Sequence, residues 1–270
     1  MSLRVVKRFE DYWIWGVCSL GVILSYHFLS LSLVRTNIVS GVLLFCLILS
    51  LALFSVRKKL PFLPLGTAAG WLKFHIFCGS FSVLLFALHV GVGLPNGNLD
   101  VSLAIVYLGV VSSGLVGLGL SKWIPKQLVN CGDEVIFERI PILQRNLREE
   151  AESLVVSTGN GELGKFYLSH VFPFFEKTHY SYTHFLNNDR TRQELLKSLR
   201  AKHSFFGELE RESAQQLETL IHTKYNLDRH ATFQGFLKSW LFLHIPLTAC
   251  LLLLSMTHGI IAYLYSPRFF

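Results

Sequence analysis

Four histidines on two apolar stretches carry the chemistry of this chain. His75 and His89 lie in WLKFHIFCGSFSVLLFALHVGVG, and His244 and His258 lie in WLFLHIPLTACLLLLSMTHGIIAYLY. Both pairs are 14 residues apart, so each stretch reads H-x13-H. On an α-helix, 14 residues rise about 21 Å and complete almost four turns, which puts both members of a pair on one face. Ring nitrogens in hydrocarbon are costly, so an intramembrane histidine is a functional candidate by default. Two helices with matched pairs predict two stacked metal centres, each held by one histidine from each helix. Haem suits such a bis-histidine pair.

The elements that must position these rings follow from composition. Of 270 residues, 51% are hydrophobic and the mean hydropathy is +0.43, the profile of an integral membrane protein. Five stretches are long and apolar enough to cross a bilayer, which takes roughly 20 residues. They lie near 12–34, 38–56, 71–93, 99–121 and 237–264. Inside them the only Lys or Arg residues are Lys73 and Lys238, both near an end, and acids occur only at the rims (Asp11, Asp100). The N-terminal apolar run is too long for a signal h-region and lacks an A-x-A cleavage site, so it reads as a retained first helix. The expected fold is an all-α membrane protein. Five transmembrane helices form a haem-binding bundle, with a mostly helical cytoplasmic insert between the fourth and the fifth. Residues 1–121 hold the first four spans, 122–235 the insert, and 236–270 the fifth span with a short outer tail.

Charge excludes one class of partner and orients the chain. The net charge is +7, yet residues 122–235 hold fifteen basic and fifteen acidic residues. The excess therefore belongs to the membrane part and predicts no nucleic-acid partner. Arg4, Lys7, Arg8, Arg57, Lys58, Lys59, Lys73 and Lys238 fall on the side of the N-terminus, and Arg35 and Arg268 on the other. By the positive-inside rule the N-terminus and the insert are cytoplasmic and the C-terminus is outside. Spans 3 and 5 then run in the same direction, which pairs His75 with His244 near the cytoplasm and His89 with His258 near the outside. The five cysteines form no C-x-x-C or C-x-x-C-H pattern, which argues against iron–sulfur ligation and covalent haem.

The insert reads as folded. PILQRNLREEAESLVVS, RTRQELLKSLRAK and GELERESAQQLETLIHTKY show apolar residues at helical spacing opposite charged faces. EVIFERIP suits a short strand or an extended lead-in. Phe172, Phe174, Phe175, Tyr180, Tyr182, Phe185, Phe205 and Phe206 supply a small core or rest on the membrane surface.

The paired H-x13-H pattern on two parallel helices resembles the dihaem core of the cytochrome b superfamily. Placement on the third and fifth spans is more similar to the ferric reductase and NADPH oxidase transmembrane domain. The resemblance covers 71–93 and 237–264 and leaves out the insert. It implies that His75, His89, His244 and His258 are axial ligands of two b-type haems, with quinone as a further cofactor candidate. Ferric reductases continue into a flavin and NADPH domain, whereas this sequence ends at Phe270, and no G-x-G-x-x-G fingerprint or P-E-W-Y quinol motif occurs. The expected function is electron conduction across a bacterial-type cytoplasmic membrane, as a membrane subunit rather than a self-contained enzyme. Its expected partners are lipid and other redox proteins (cytochrome c, an iron–sulfur protein or a flavoprotein) or quinone. The alternatives are a ferric or metal reductase component and a haem-free histidine-lined proton or ion transporter, for which the spans offer no internal carboxylate.

Secondary candidates surround the four rings. Lys73 and Lys238, with Trp71 and Trp240, mark the cytoplasmic rim and could contact propionates of the inner haem or anchor the interface. Arg35 and Arg268 are the corresponding outer candidates. Small residues near the ligands (Gly79, Ser80, Ser82, Gly91, Ala249, Ser255) could make room for a macrocycle or serve ordinary helix packing. His27 stands alone in span 1, either as part of a quinone or proton path or as a packing residue. His170, His179, His184, His203, His222 and His230 in the insert show no metal signature.

Overall fold

A computed structural model describes residues 3–31, 35–57, 66–91, 93, 95–131, 135–159, 161–176 and 190–265. Most of these residues are helical, with no strand among them. In chain order they form α1 (Leu3–Leu31), α2 (Thr36–Arg57), α3 (Ala68–Val90) and α4 (Asn98–Leu128), then two 3₁₀ turns (Val129–Cys131 and Phe137–Arg139). Next come α5 (Ile140–Thr158), α6 (Glu162–Phe166), a π-helical turn (Tyr167–Val171), α7 (Phe172–Glu176), α8 (Arg190–Ala201), a 3₁₀ turn (His203–Phe205) and α9 (Glu208–Tyr265). Five helices, α1 to α4 and α9, are long and apolar enough to cross a membrane. Such helices suit hydrocarbon, because a helix satisfies every backbone N–H and C=O within its own segment.

Two expectations are refined in detail. EVIFERIP follows the extended lead-in alternative, with no strand among its described residues: Ile136 is extended, Phe137–Arg139 form a 3₁₀ turn, and Pro141 stands in the first turn of α5. Proline in the first helical turn loses no bond that the helix would have made, so the segment starts a helix instead of joining a sheet. The fifth span, read as 237–264, is the C-terminal part of one 58-residue helix. No proline interrupts the run from Glu208 until Pro246, so the amphipathic stretch and the apolar stretch merge.

The chain divides into two compact units, Met1–Leu118 with Phe242–Phe270, and Gly119–Leu241. In the first unit, Leu44 and Ile48 of α2, Leu85 of α3, Tyr107 of α4 and Leu251 of α9 form the buried core. Tyr107 stacks on Phe86 with ring centres 4.1 Å apart, and its hydroxyl lies 3.0 Å from Ser82 Oγ. The hydroxyl pair satisfies a polar group that would otherwise be costly in this setting. Thr67 caps α3 by accepting from Gly70 N at 3.2 Å, and Gly91 ends it at φ +69°, where a side chain would be strained. Trp15 of α1 donates to Ser80 Oγ at 3.0 Å, while Trp13 and Phe28 point outward at 75% and 71% exposure. Outward aromatic and aliphatic side chains suit a face in contact with lipid.

In the second unit, Leu163, Phe166, Val171, Leu199, Leu217 and Ile221 are fully buried between α5, the α6–α7 segment, α8 and the start of α9. Phe174, Phe175 and Phe206 join this core, Phe172 packs against it, and Phe205 is exposed; Tyr180, Tyr182 and Phe185 lie outside the described residues. One carboxylate ties two helix starts together. Glu210 accepts from Gly207 N at 2.9 Å at the start of α9 and from Leu163 N at 3.2 Å at the start of α6. The first contact is half of a capping box, and each satisfies a donor that the helix leaves open. A β-carbon on Gly161 would overlap that carboxylate in its present position, so a side chain there would displace Glu210. Glu210→Ala should lower stability by about 1–2 kcal/mol, read as a fall in the thermal midpoint of the purified chain, with Glu210→Gln retaining most of it.

Candidate functional site

The outer pair is assembled ring to ring. His89 of α3 and His258 of α9 stand with ring centres 6.3 Å apart and planes at 88°. A metal held between two imidazoles, each by a bond of about 2 Å, separates the ring centres by about 6 Å. Both rings line a cavity of about 870 Å³ whose walls include Gly41, Leu44, Phe86 and Tyr107. That volume falls within the roughly 300–1,000 Å³ of cofactor sites. The residues present therefore fit a planar macrocycle carrying its own equatorial donors.

Each outer ring is oriented from behind. Ser40 Oγ lies 3.2 Å from His89 Nδ1, and Asp100 Oδ1 lies 2.9 Å from His258 Nδ1. The Asp100 carboxylate stands beside the His258 ring as an ion-pair partner of the protonated imidazole, on the side away from Nε2. Such outer partners fix ring orientation and raise ligand basicity. Gly41 lets α2 approach: a β-carbon there would stand 2.8 Å from His89 Cε1.

His244 and His75 also have neighbours on the adjoining helices. His244 Nδ1 lies 3.1 Å from Ser113 Oγ, and a β-carbon at Gly114 would stand at ordinary contact distance, 3.9 Å, from His244 Cε1. Thr248 donates to the His244 carbonyl at 2.9 Å, two residues beyond Pro246. The ring of His75 packs on Phe54 at 5.2 Å between centres.

These contacts repeat the interval of the histidines. On α2, Ser40 and Phe54 are 14 residues apart and face His89 and His75, also 14 apart. On α4, Asp100 and Ser113 are 13 apart and face His258 and His244. Each histidine-bearing helix thus has an antiparallel neighbour that presents partners at the same two levels, as equal rise per residue requires. Sequence reasoning did not identify Ser40, Gly41, Phe54, Ser113 and Gly114, and it read Asp100 only as a rim acid. The correction matters for the transporter alternative, because one histidine does have a carboxylate beside it. The signal was the recurrence of the interval on α2 and α4.

Other sequence candidates fall in different places. Lys73 is exposed on α3. Lys238 pairs with Glu138 at 2.6 Å and lies 4.0 Å over the Phe137 ring, holding the Glu138 carboxyl below its ordinary range. Arg35 lines a second cavity of about 560 Å³, which shares Asn37, Ile38 and Ala262 with the larger one. Arg268 lies outside the described residues. Of the small residues, Ser255 lines the larger cavity, Ser80 accepts from Trp15, and Gly79 has open space around it. His27 is exposed on α1. In the insert, His170 contacts Ser169 at 2.6 Å, His222 contacts Arg192 at 3.3 Å, and His230 is buried; His179 and His184 lie outside the described residues. Among the described residues no three His, Cys, Asp or Glu side chains converge as ligands of a bare metal ion. No family model, curated protein or solved structure matches this chain.

Proposed function

We propose that this chain is a dihaem b-type cytochrome that conducts electrons across a membrane. His75 with His244 would hold the inner haem, and His89 with His258 the outer one. The observation that carries this reading is the engagement of Nδ1. In three of the four imidazoles Nδ1 lies 2.9–3.2 Å from Asp100, Ser113 or Ser40, which leaves Nε2 available as a ligand atom. Bound haem supplies a reversible one-electron couple at each of the two levels. The protein's part is to hold ring orientation through α2 and α4 and to exclude water with Phe86, Tyr107 and the aliphatic wall.

In this reading the N-terminus and residues 122–235 face the cytoplasm, and the membrane is of the bacterial cytoplasmic type. Arg35 is the best placed of the propionate candidates, beside the smaller cavity. At Lys238 a propionate would compete with Glu138. Electrons pass between quinone or redox proteins at the two faces; reduction of a ferric chelate at one face is the variant in which the final acceptor is a metal. The test is electron transfer in proteoliposomes. External dithionite should reduce trapped ferricyanide at a rate set by protein content, and His75→Ala/His244→Ala should fall to the leak rate of empty vesicles. Wild-type protein at the leak rate refutes conduction.

A haem-free proton relay is the second reading, and the Asp100–His258 contact favours it, since a carboxylate beside an imidazole can pass a proton. A colourless purified protein that acidifies vesicles under a membrane potential would establish that reading in place of the first.

A further inference from the structure

The two histidines of α9 are backed by different chemistry. His244 Nδ1 faces the hydroxyl of Ser113, and His258 Nδ1 faces the carboxylate of Asp100. A hydroxyl can donate or accept, so it leaves the tautomer open and adds no charge. A carboxylate 2.9 Å from Nδ1 brings a negative charge, which favours positive charge on the ring and on whatever the ring ligates. Asp100 is positioned for this by the fold, standing in the first turn of α4 within reach of α9. On the ligand's other side, His89 has the Ser40 hydroxyl and the Asn37 backbone, both uncharged.

We propose that Asp100 is the positioning residue of the outer centre, holding the His258 imidazole as a strong donor and lowering the reduction potential there relative to the same centre without the carboxylate. The inference rests on the dihaem reading and concerns one residue that touches a ligand, not the haem itself. A more basic imidazole stabilises the ferric more than the ferrous state, so loss of the carboxylate makes that centre easier to reduce. Ser113 gives the inner centre no equivalent charge, so the effect of Asp100 is confined to one level.

The test is an optical redox titration of the whole protein in detergent, with haem content measured alongside. Wild type should show two one-electron components. In Asp100→Asn one component should move so that the reduced-to-oxidised ratio at its former midpoint rises about tenfold, which is about 59 mV, with the other unchanged. Asp100→Glu should stay near wild type. The component that moves must be the one His89→Ala removes. Two retained haems with both potentials unchanged in Asp100→Asn overturn the proposal, as does an equal shift of both. If Asp100→Asn sheds one haem, Asp100→Glu with two haems and wild-type potentials supports the assignment, and Asp100→Glu that also sheds it overturns it. A wild-type protein without haem overturns the dihaem reading itself, and this inference with it.

Discussion

Gly41→Val should empty one of the two proposed haem sites and leave the other filled. The β-carbon alone would stand 2.8 Å from His89 Cε1, a distance at which something must move. The near atom belongs to a ring that is already held by Ser40 on the same helix, one residue away. The imidazole would therefore be driven from the position that gives 6.3 Å to His258. Bis-histidine ligation depends on that spacing, so the branched side chain should remove the outer haem. Gly41→Ala should weaken its retention by about 10–100-fold. Gly79→Ala is the control, because no atom lies within 4 Å of a β-carbon at that glycine. Haem content per chain is the measurement: about one for Gly41→Val, two for Gly79→Ala. Equal haem content in all three proteins would refute the role of Gly41.

Asp228→Ala should destabilise the chain by about 3–5 kcal/mol, because it strands a buried charge. Lys224 and Asp228 are each 1% exposed, and Lys224 Nζ lies 2.6 and 2.7 Å from the two carboxylate oxygens. Gln144 donates to the same carboxylate at 2.7 Å, so three side chains share one polar site inside the second unit. Burial pushes the Lys224 ammonium below its ordinary range, and Asp228 opposes that shift. A lysine with a depressed folded value binds fewer protons folded than unfolded, so its burden is full at low pH and disappears as pH rises through the unfolded value. Removing Asp228 deepens the depression. The Asp228→Ala deficit should therefore shrink as pH rises toward about 10. Replacing both partners, as Lys224→Met/Asp228→Leu, should recover most of the loss, since an apolar pair of similar volume has no charge to desolvate. Thermal melts of the detergent-solubilised proteins measure this. A double variant as unstable as Asp228→Ala would refute the account.

Different parts of this architecture left different traces in the sequence. The five spanning helices were legible because hydrocarbon demands long apolar runs, and those runs stand out from the charged segment between Lys122 and Gly235. Helices α5 and α8 were legible because their apolar residues recur at helical spacing. The continuity of α9 was hidden by a change of pattern near its middle, where amphipathic spacing gives way to an all-apolar run with no intervening breaker. The 3₁₀ turn at Phe137 was hidden because β-branched residues there favour a strand locally, while no partner strand exists among the described residues.

The site divides the same way. Histidines in apolar runs are rare enough to announce themselves, and the 14-residue interval fixes their face and depth. Ser40, Gly41 and Ser113 are ordinary residues of membrane helices, so type alone does not single them out. They acquire meaning only when α2 is known to lie against α3, and α4 against α9. Asp100 shows the limit most clearly, because sequence placed its depth at the rim but not its rotation toward His258.

The central claim is that two histidine pairs hold two haems. Pyridine haemochrome quantification with a reduced-minus-oxidised spectrum, made on purified wild type and three variants, tests it most directly. Wild type should carry two non-covalent b-type haems per chain. His89→Ala and the double variant His89→Ala/His258→Ala should both carry one, since each breaks the same site. His89→Ala/His244→Ala should carry none. A wild-type protein that folds without haem, or a His89→Ala/His258→Ala protein that keeps both, would contradict the account.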